Sequence, residues 1–209
     1  MAKQQRDAKV TKARIIQESR MLFSKKGFDA TTIDDIARAS DVNKALIYYY
    51  FKNKSGLYNE VMSGLFDAIY SEVKKRESST DSATKELQKF IETYAKYANE
   101  HTYFPAILLR ELSDSGAHLP EDMFHKMRRV FFLLSDILQR GEDEGVFKKS
   151  IPMVIHFMII GGINLMVTTA PLRKKAKRID ANIRSCPECS SEEIADYIFQ
   201  TIKQSLEVV

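Results

Sequence analysis

Thr31–Lys54 reads TTIDDIARASDVNKALIYYYFKNK, and the fold is decided there. Thr32 is an N-cap residue type, and Asp35 three positions on can answer it in a capping box. Ile33, Ile36 and Ala37 then recur at helical spacing, so this helix has one apolar face. Ala39, Ser40 and Asp41 end it, and Val42 fills the corner. Asn43 is a second N-cap, and Lys44 to Tyr50 make about two further helical turns. Asn53 is a third, opening a longer helix at Lys54. A short helix, a turn of roughly four residues and a second short helix is the helix-turn-helix arrangement, whose second helix enters a major groove.

The side chains agree with that reading. Ile47 and Phe51, four apart, face inward. Lys44, Ala45, Leu46, Tyr48, Tyr49 and Tyr50 are left on the start and outer side of the helix. A cation, small residues and phenol hydroxyls suit a groove lined by phosphates and base edges. Three consecutive tyrosines are hard to bury together on one short helix. Lys54 and the free amides behind Asn53 favour a phosphate. The alternative these residues leave open is an ordinary three-helix core with solvated lysines and tyrosines.

The run TTIDDIARASDVNKALIYYYFKNKSGLY, preceded by ARIIQESRMLFSKKGFDATT, resembles the DNA-binding domain of the tetracycline-repressor (TetR) family of bacterial transcription regulators. The resemblance covers Thr11 to Leu65. It makes Ala13–Lys26 the first helix, Gly27 its stop and Phe28 an anchor. Members of that family commonly carry a Ser-Lys-Gly-Thr-Leu-Tyr-like run in the recognition helix. Here Asn43, Lys44, Ala45, Leu46, Ile47 and Tyr48 stand in its place. Alanine for glycine holds the backbone farther from DNA, and Leu46 can meet a thymine methyl. The resemblance implies a homodimer that reads a palindromic site on double-stranded DNA, most often as a repressor, and is released by a small effector. Lys44, Ala45 and Leu46, behind the Asn43 cap, would lie nearest the bases. Thr32, Tyr48, Tyr49, Tyr50 and Lys54 would hold phosphates.

Composition sets the frame around this unit. Of 209 residues, 44% are hydrophobic and 29% charged, with eight Gly and five Pro and no segment that alternates like a strand. All-α follows, with an N-terminal three-helix helix-turn-helix domain (1–53, residues 1–10 a flexible arm) and a C-terminal helical ligand-binding and dimerisation domain (54–209). Net charge is only +4, but the first sixty residues carry twelve cations against seven acids. The excess sits where DNA should sit. The polar N-terminus predicts a cytoplasmic protein without a secretory signal.

Apolar stripes continue down the chain. Lys54 to about Lys75 is a long helix linking the two domains, and Thr80 or Asp81 caps the next. Further helices run from Phe104 to Leu112, from Pro120 towards Gly145, over Ile151–Pro171 and from Ser191 to Glu207. Ile151–Pro171 has no charged residue. Its basic flanks, His156 and Asn164 argue against a bilayer span and for burial on two sides. It pairs with the last helix as a dimer interface through Ile155, Met158, Gly161, Gly162, Leu165, Ile194, Tyr197, Ile198 and Ile202. His156 reads as a hydrogen-bonded core residue.

The second domain is rich in Met, Phe and Tyr. Phe66, Tyr70, Tyr94, Tyr97 and Phe104 are candidate walls of an effector pocket, and so are Leu108, Met123, Met127, Phe131, Phe157 and Ile160. They suit a small apolar or aromatic effector. Arg110 and Glu111 read as an exposed pair. Cys186 and Cys189 form one CPEC, by default a loop with two free thiols and otherwise half of a zinc site or a redox pair. With four scattered histidines and no second CxxC they are weak metal candidates, leaving a metal- or redox-responsive regulator as the alternative, and a helical small-molecule carrier as a lesser one. No G-x-S-x-G, phosphate-cradling glycine loop or H-E-x-x-H occurs, so no enzyme and no cofactor are expected.

Overall fold

The structure, a computed structural model, describes residues 2–77, 81–180 and 189–208, without the side chains of residues 2–6 and 122. Among these residues the chain forms α1 (Ala2–Lys26), α2 (Ile33–Ala39), α3 (Lys44–Phe51), α4 (Lys54–Arg76), α5 (Ala83–Glu100), α6 (Tyr103–Ser113), α7 (Glu121–Asp143), α8 (Pro152–Thr168), α9 (Ala170–Ile179) and α10 (Ser191–Leu206). No strand forms among them; one isolated antiparallel bridge joins Phe147 to Glu207.

The chain divides into two compact units, residues 1–67 with 106–126, and 68–105 with 127–209. The sequence alone places the boundary at 53/54. The observed division falls inside α4 and returns 106–126 to the first unit, so α4 and α6 each run through both.

In the first unit α1 begins at Ala2, where the sequence suggests a flexible arm. The early residues are mostly Ala, Lys, Gln and Arg, all good helix formers, so the helix propagates backward. It ends at Gly27, whose φ of +80° supplies the left-handed stop while its N–H reaches the Phe23 carbonyl at 2.9 Å. Ile15 and Phe23 of α1 are buried with Ile36 of α2, Ile47 and Phe51 of α3 and Leu57 and Val61 of α4.

The second unit is built on α5, packed against α8 and α10, which also meet each other. Leu87, Ile91 and Tyr94, Ile159 and Ile163, and Ile194 and Ile202 make its core. Ser82 caps α5 through Lys85 N, displacing the two caps read from sequence. Asp81 instead pairs with Lys89, and Thr80 lies outside the described residues. The expected single helix over 151–171 is broken. Thr168 and Thr169 turn their hydroxyls back onto the Asn164 and Leu165 carbonyls, at 2.7 and 2.5 Å. Pro171 has no N–H to continue α8, so α9 departs at 61°. Among the described residues no single helix is long and apolar enough to cross a membrane.

Phe147 closes the second unit from below α7. Its ring lies over Gly141, and Lys148 N donates to the Leu206 carbonyl at 2.8 Å. A Cβ on Gly141 would come within 1.9 Å of that ring. Gly141→Ala is therefore expected to cost about 1–3 kcal/mol by overpacking, read as a lowered thermal midpoint with the helical circular-dichroism signal retained.

Candidate nucleic-acid interface

The helix-turn-helix is tied together by its caps. The Thr32 hydroxyl accepts from Asp35 N at 3.0 Å while the Asp35 carboxylate answers Thr32 N, completing the capping box. Lys26 bonds the same carboxylate at 3.0 Å and, as the largest influence, holds its pKa below the usual range. At the corner Asp41 takes φ +48° and Val42 N reaches the Ala37 carbonyl at 3.0 Å. Asn43 Oδ1 accepts from Ala45 N at 2.8 Å and opens α3. Ile47 and Phe51 are buried, so α3 has only one rotation available. That rotation exposes Lys44, Ala45 and Tyr48 and leaves Tyr49 79% exposed, with Leu46 and Tyr50 half-buried.

Lys44 pairs with Asp34 at 3.2 Å, both side chains exposed. Such a pair holds little energy, and a phosphate can replace the carboxylate. Tyr50 reaches back to the Ala8 carbonyl at 3.5 Å. Lys54 departs from expectation: its ammonium donates to the Phe28 and Asp29 carbonyls at 3.0 and 3.3 Å and sits 4.2 Å from the Phe28 ring. It anchors the loop before α2, and the Thr32 hydroxyl is likewise occupied by its cap.

A second cluster in this unit is not visible in the sequence pattern. Glu111 is 3% exposed and is no surface partner of Arg110. Its carboxylate accepts from the Tyr58 hydroxyl at 2.6 Å and from His118 N at 2.8 Å. Burial first, then this bond, drives the Tyr58 hydroxyl well above the ordinary phenol range. Arg110 instead donates to the Ser24 and Lys25 carbonyls, capping the end of α1. The Tyr58–Glu111 and Arg110 partners lie 53 to 86 positions apart, beyond any local pattern.

Residues 15–61 match the sequence profile of the bacterial regulatory proteins of the tetR family, and residues 84–181 that of the tetracyclin repressor-like C-terminal domain. The chain belongs to the TetR family. It is 29% identical over 136 residues to the probable HTH-type transcriptional regulator YttP of Bacillus subtilis (strain 168), spanning 64% of this chain and 66% of that one. It is 25% identical over 124 residues, 54% of this chain and 67% of the other, to IcaR of Staphylococcus aureus (strain Newman), the negative transcriptional regulator of the biofilm operon icaADBC. These matches cover about two thirds of each relative. Among solved structures, the TetR-family regulator PfmR from Thermus thermophilus superposes with a TM-score of 0.70 at 24% identity, covering 91% of this chain and 97% of that one. AibR, in complex with isovaleryl coenzyme A and operator DNA, gives 0.72 at 16% with the same coverage. At these identities the structures speak for the TetR fold alone.

The remaining TetR-type expectations fare unevenly. Of the pocket candidates, Phe66, Leu108 and Met123 are buried in the first unit; Tyr94, Tyr97, Phe104 and Ile160 are buried in the second. Tyr94 and Tyr97 pack edge-on around Phe104, at 6.2 and 5.6 Å. Tyr70 holds Arg129 over its ring at 3.7 Å, Met127 and Phe131 are half-buried, and Phe157 is 57% exposed. Three cavities stand out: about 550 Å³ in the first unit beside Phe28, Tyr58 and His118, about 30 Å³ beside Glu86 and Arg140, and about 180 Å³ beside Glu92 and Glu192. None of the eleven candidates lines any of them; seven are buried in the cores of the two units.

The interface candidates split in two. Ile155, Ile194 and Ile202 are buried inside the subunit, where α5, α8 and α10 meet, so they serve its own core. Met158, Leu165 and Tyr197 are exposed, Gly161, Gly162 and Ile198 less so. Cys189 is disulfide-bonded, where two free thiols are the default reading of the sequence, and Cys186 lies outside the described residues.

His156 lacks the hydrogen bond expected of it. Its Nδ1 is buried without a partner, between Phe131 and Phe157, and burial pushes its pKa down to about 4. An unfolded histidine takes up its proton near 6.5, so stability is full above that pH and declines as pH falls towards 4. The wild type is expected to lose on the order of 2–3 kcal/mol over that window relative to His156→Leu, measured as the difference between their denaturation free energies against pH.

Proposed function

We propose that this TetR-family chain is a dimeric, DNA-binding transcriptional repressor that places α3 of each subunit in a major groove of a palindromic operator. The observation that carries the reading is the outward face of α3. Tyr49, Tyr48, Lys44 and Ala45 are offered to solvent by a helix whose opposite face, Ile47 and Phe51, is locked into the first unit. Exposed phenol rings, that of Tyr49 resting edge-on against Tyr50 at 5.3 Å, and a loosely paired lysine suit a phosphate-lined groove. Lys44 and Ala45 sit nearest the base edges, and Tyr48 and Tyr49 hold phosphates. Repression is favoured by the negative regulator IcaR among the relatives.

A second copy of the chain is the occupant that fits the exposed side of α8. Met153, Val154, Phe157, Met158 and Leu165 are exposed there at helical spacing, and Tyr197 is exposed on α10, which packs against α8. A two-fold dimer covers such a patch with the same patch, burying it twice at once. Two recognition helices then meet half-sites one helical turn apart, about 34–36 Å.

A small apolar or aromatic effector is the natural release signal. The polar groups in the second unit's core that such a molecule could meet include Tyr94, hydrogen-bonded to the buried Asn164 at 3.3 Å, and a Thr93 hydroxyl without a partner. AibR, whose fold this chain shares, is an acyl-coenzyme A-bound protein. α4 is continuous through both units, so a change at its second half reaches the turn after α3 along one helix. The effector must prefer the DNA-incompetent state to shift the equilibrium.

Binding to fragments of the chain's own promoter tests the groove assignment. Tyr49→Ala and Lys44→Ala are each expected to weaken binding by about 1–3 kcal/mol, with the thermal midpoint unchanged because both side chains are exposed. Unaltered affinity in both variants removes α3 from the interface. Leu165→Asp is expected to yield a monomer by sedimentation and to lose operator binding with it; a dimer that survives the change places the subunit contact elsewhere.

A further inference from the structure

The first unit carries a group of side chains that DNA binding does not use. Asp29 lies in the loop between α1 and α2, and Asp114 and His118 lie in the turn that follows α6. One ligand atom from each of the three falls within 4.8 Å of the others. Asp29 Oδ1 is 3.5 Å from His118 Nε2, and Asp114 Oδ2 is 3.5 Å from Nδ1. The group borders the cavity of about 550 Å³ in this unit.

Three properties of the group point to a cation. First, it is short of positive charge. Three carboxylates, Asp29, Glu111 and Asp114, converge on one imidazole, and Glu111 among them is buried. The cations on the same loops are engaged elsewhere: Lys54 on the Phe28 and Asp29 carbonyls, Arg110 on those of Ser24 and Lys25. Three carboxylates around one imidazole leave acids in excess even when the ring carries a proton. Second, the imidazole is held as a ligand needs to be. Its Nδ1 faces Glu111 Oε1 at 3.5 Å, its backbone N–H donates to the same oxygen, and its ring stacks 4.4 Å from Phe28. A carboxylate behind Nδ1 presents Nε2 for coordination on the side where Asp29 already lies, and Asp114, which stands against Nδ1, swings round to join it. Third, the spacing is close to what an ion requires. Tetrahedral bonds of roughly 2.0–2.2 Å set ligand atoms about 3.3–3.6 Å apart, so the two aspartates close on the imidazole by a movement of about an ångström. Asp29, 84% exposed, and Asp114, 58% exposed, are free to make it.

We infer that Asp29, Asp114 and His118 bind one divalent transition-metal cation per subunit, through two carboxylate oxygens and His118 Nε2, with Glu111 orienting the imidazole and water completing the shell. One nitrogen with two hard oxygens suits Zn²⁺ or Mn²⁺ better than Mg²⁺. The ion ties the loop that precedes the helix-turn-helix to the turn that ends α6, and so orders the base on which α2 and α3 stand. The site is independent of the DNA-binding reading, because it is measured without DNA.

The test uses the full-length protein carrying Cys186→Ser and Cys189→Ser, so that reduction of the disulfide cannot release thiolates as competing ligands, after chelator treatment. Titration with ZnCl₂ by calorimetry is expected to give one ion per subunit and a raised thermal midpoint. Asp29→Asn and Asp114→Asn should each weaken Zn²⁺ binding at least tenfold while leaving the metal-free midpoint unchanged, and His118→Gln should weaken it further. Asp29→Asn keeps the test informative if His118→Gln folds poorly, since Asp29 is a surface side chain. Absence of Zn²⁺ binding, or Zn²⁺ binding that Asp29→Asn or Asp114→Asn leaves intact, overturns the proposal.

Discussion

Everything in the first unit depends on the burial of Ile47. α3 is only eight residues long, too short to hold its shape by backbone hydrogen bonds alone. Its orientation is set from outside, by Ile47 and Phe51 pressed against a core that includes Ile15 and Phe23 of α1 and Ile36 of α2. With that face fixed, Tyr48 and Tyr49 have nowhere to go but outward. The exposed chemistry of α3 is thus a consequence of apolar packing one turn away, and the caps at Thr32 and Asn43 only decide where the packing begins.

That division explains how much is legible in the sequence. Caps, stripes and turns act over three or four residues, so α2, the turn, α3 and α4 can be placed from residue types. Two readings, of α1 and of Glu111, fail because their causes lie elsewhere, and a third, of Lys54, meets competing acceptors within the chain. α1 reaches back to Ala2 because nothing stops it, and a polar composition says nothing against a helix of good formers. Lys54 reads as a phosphate ligand because it opens a helix, yet the Phe28 and Asp29 carbonyls, 26 and 25 residues earlier, take its ammonium. Glu111 reads as exposed beside Arg110, yet Tyr58, 53 residues away, draws it inward. Periodicity reports which face is apolar and leaves open which distant polar group meets it.

α8 shows the same limit in the second unit. It is apolar on all sides, which the sequence states without saying which side meets what. Ile155, Ile159 and Ile163 pack within the subunit, while Val154, Met158 and Leu165 do not. Choosing interface residues by hydrophobicity alone therefore mixes core with surface. The break after Thr168 is also hidden, since a run of uncharged residues does not reveal two threonine hydroxyls competing for carbonyls just before a proline.

The two ends of α1 are treated differently, and the difference bears on how the unit is held. In its N-terminal half the long bond from Tyr50 to the Ala8 carbonyl, the exposed Lys12–Glu60 pair at 2.7 Å, Lys12 over the Phe51 ring and Arg14 on the Asp41 carbonyl at 3.4 Å reach across. At its C-terminal end Gly27 turns the chain, Arg110 collects the Ser24 and Lys25 carbonyls, and Lys54 collects those of Phe28 and Asp29. Carbonyls at a helix terminus carry the negative end of the dipole, and two cations from α6 and α4 answer it. Asp29 follows directly in this loop, with its carboxylate left to His118. The loop before the helix-turn-helix and the helix end that leads into it are therefore fastened by charge from both α4 and α6.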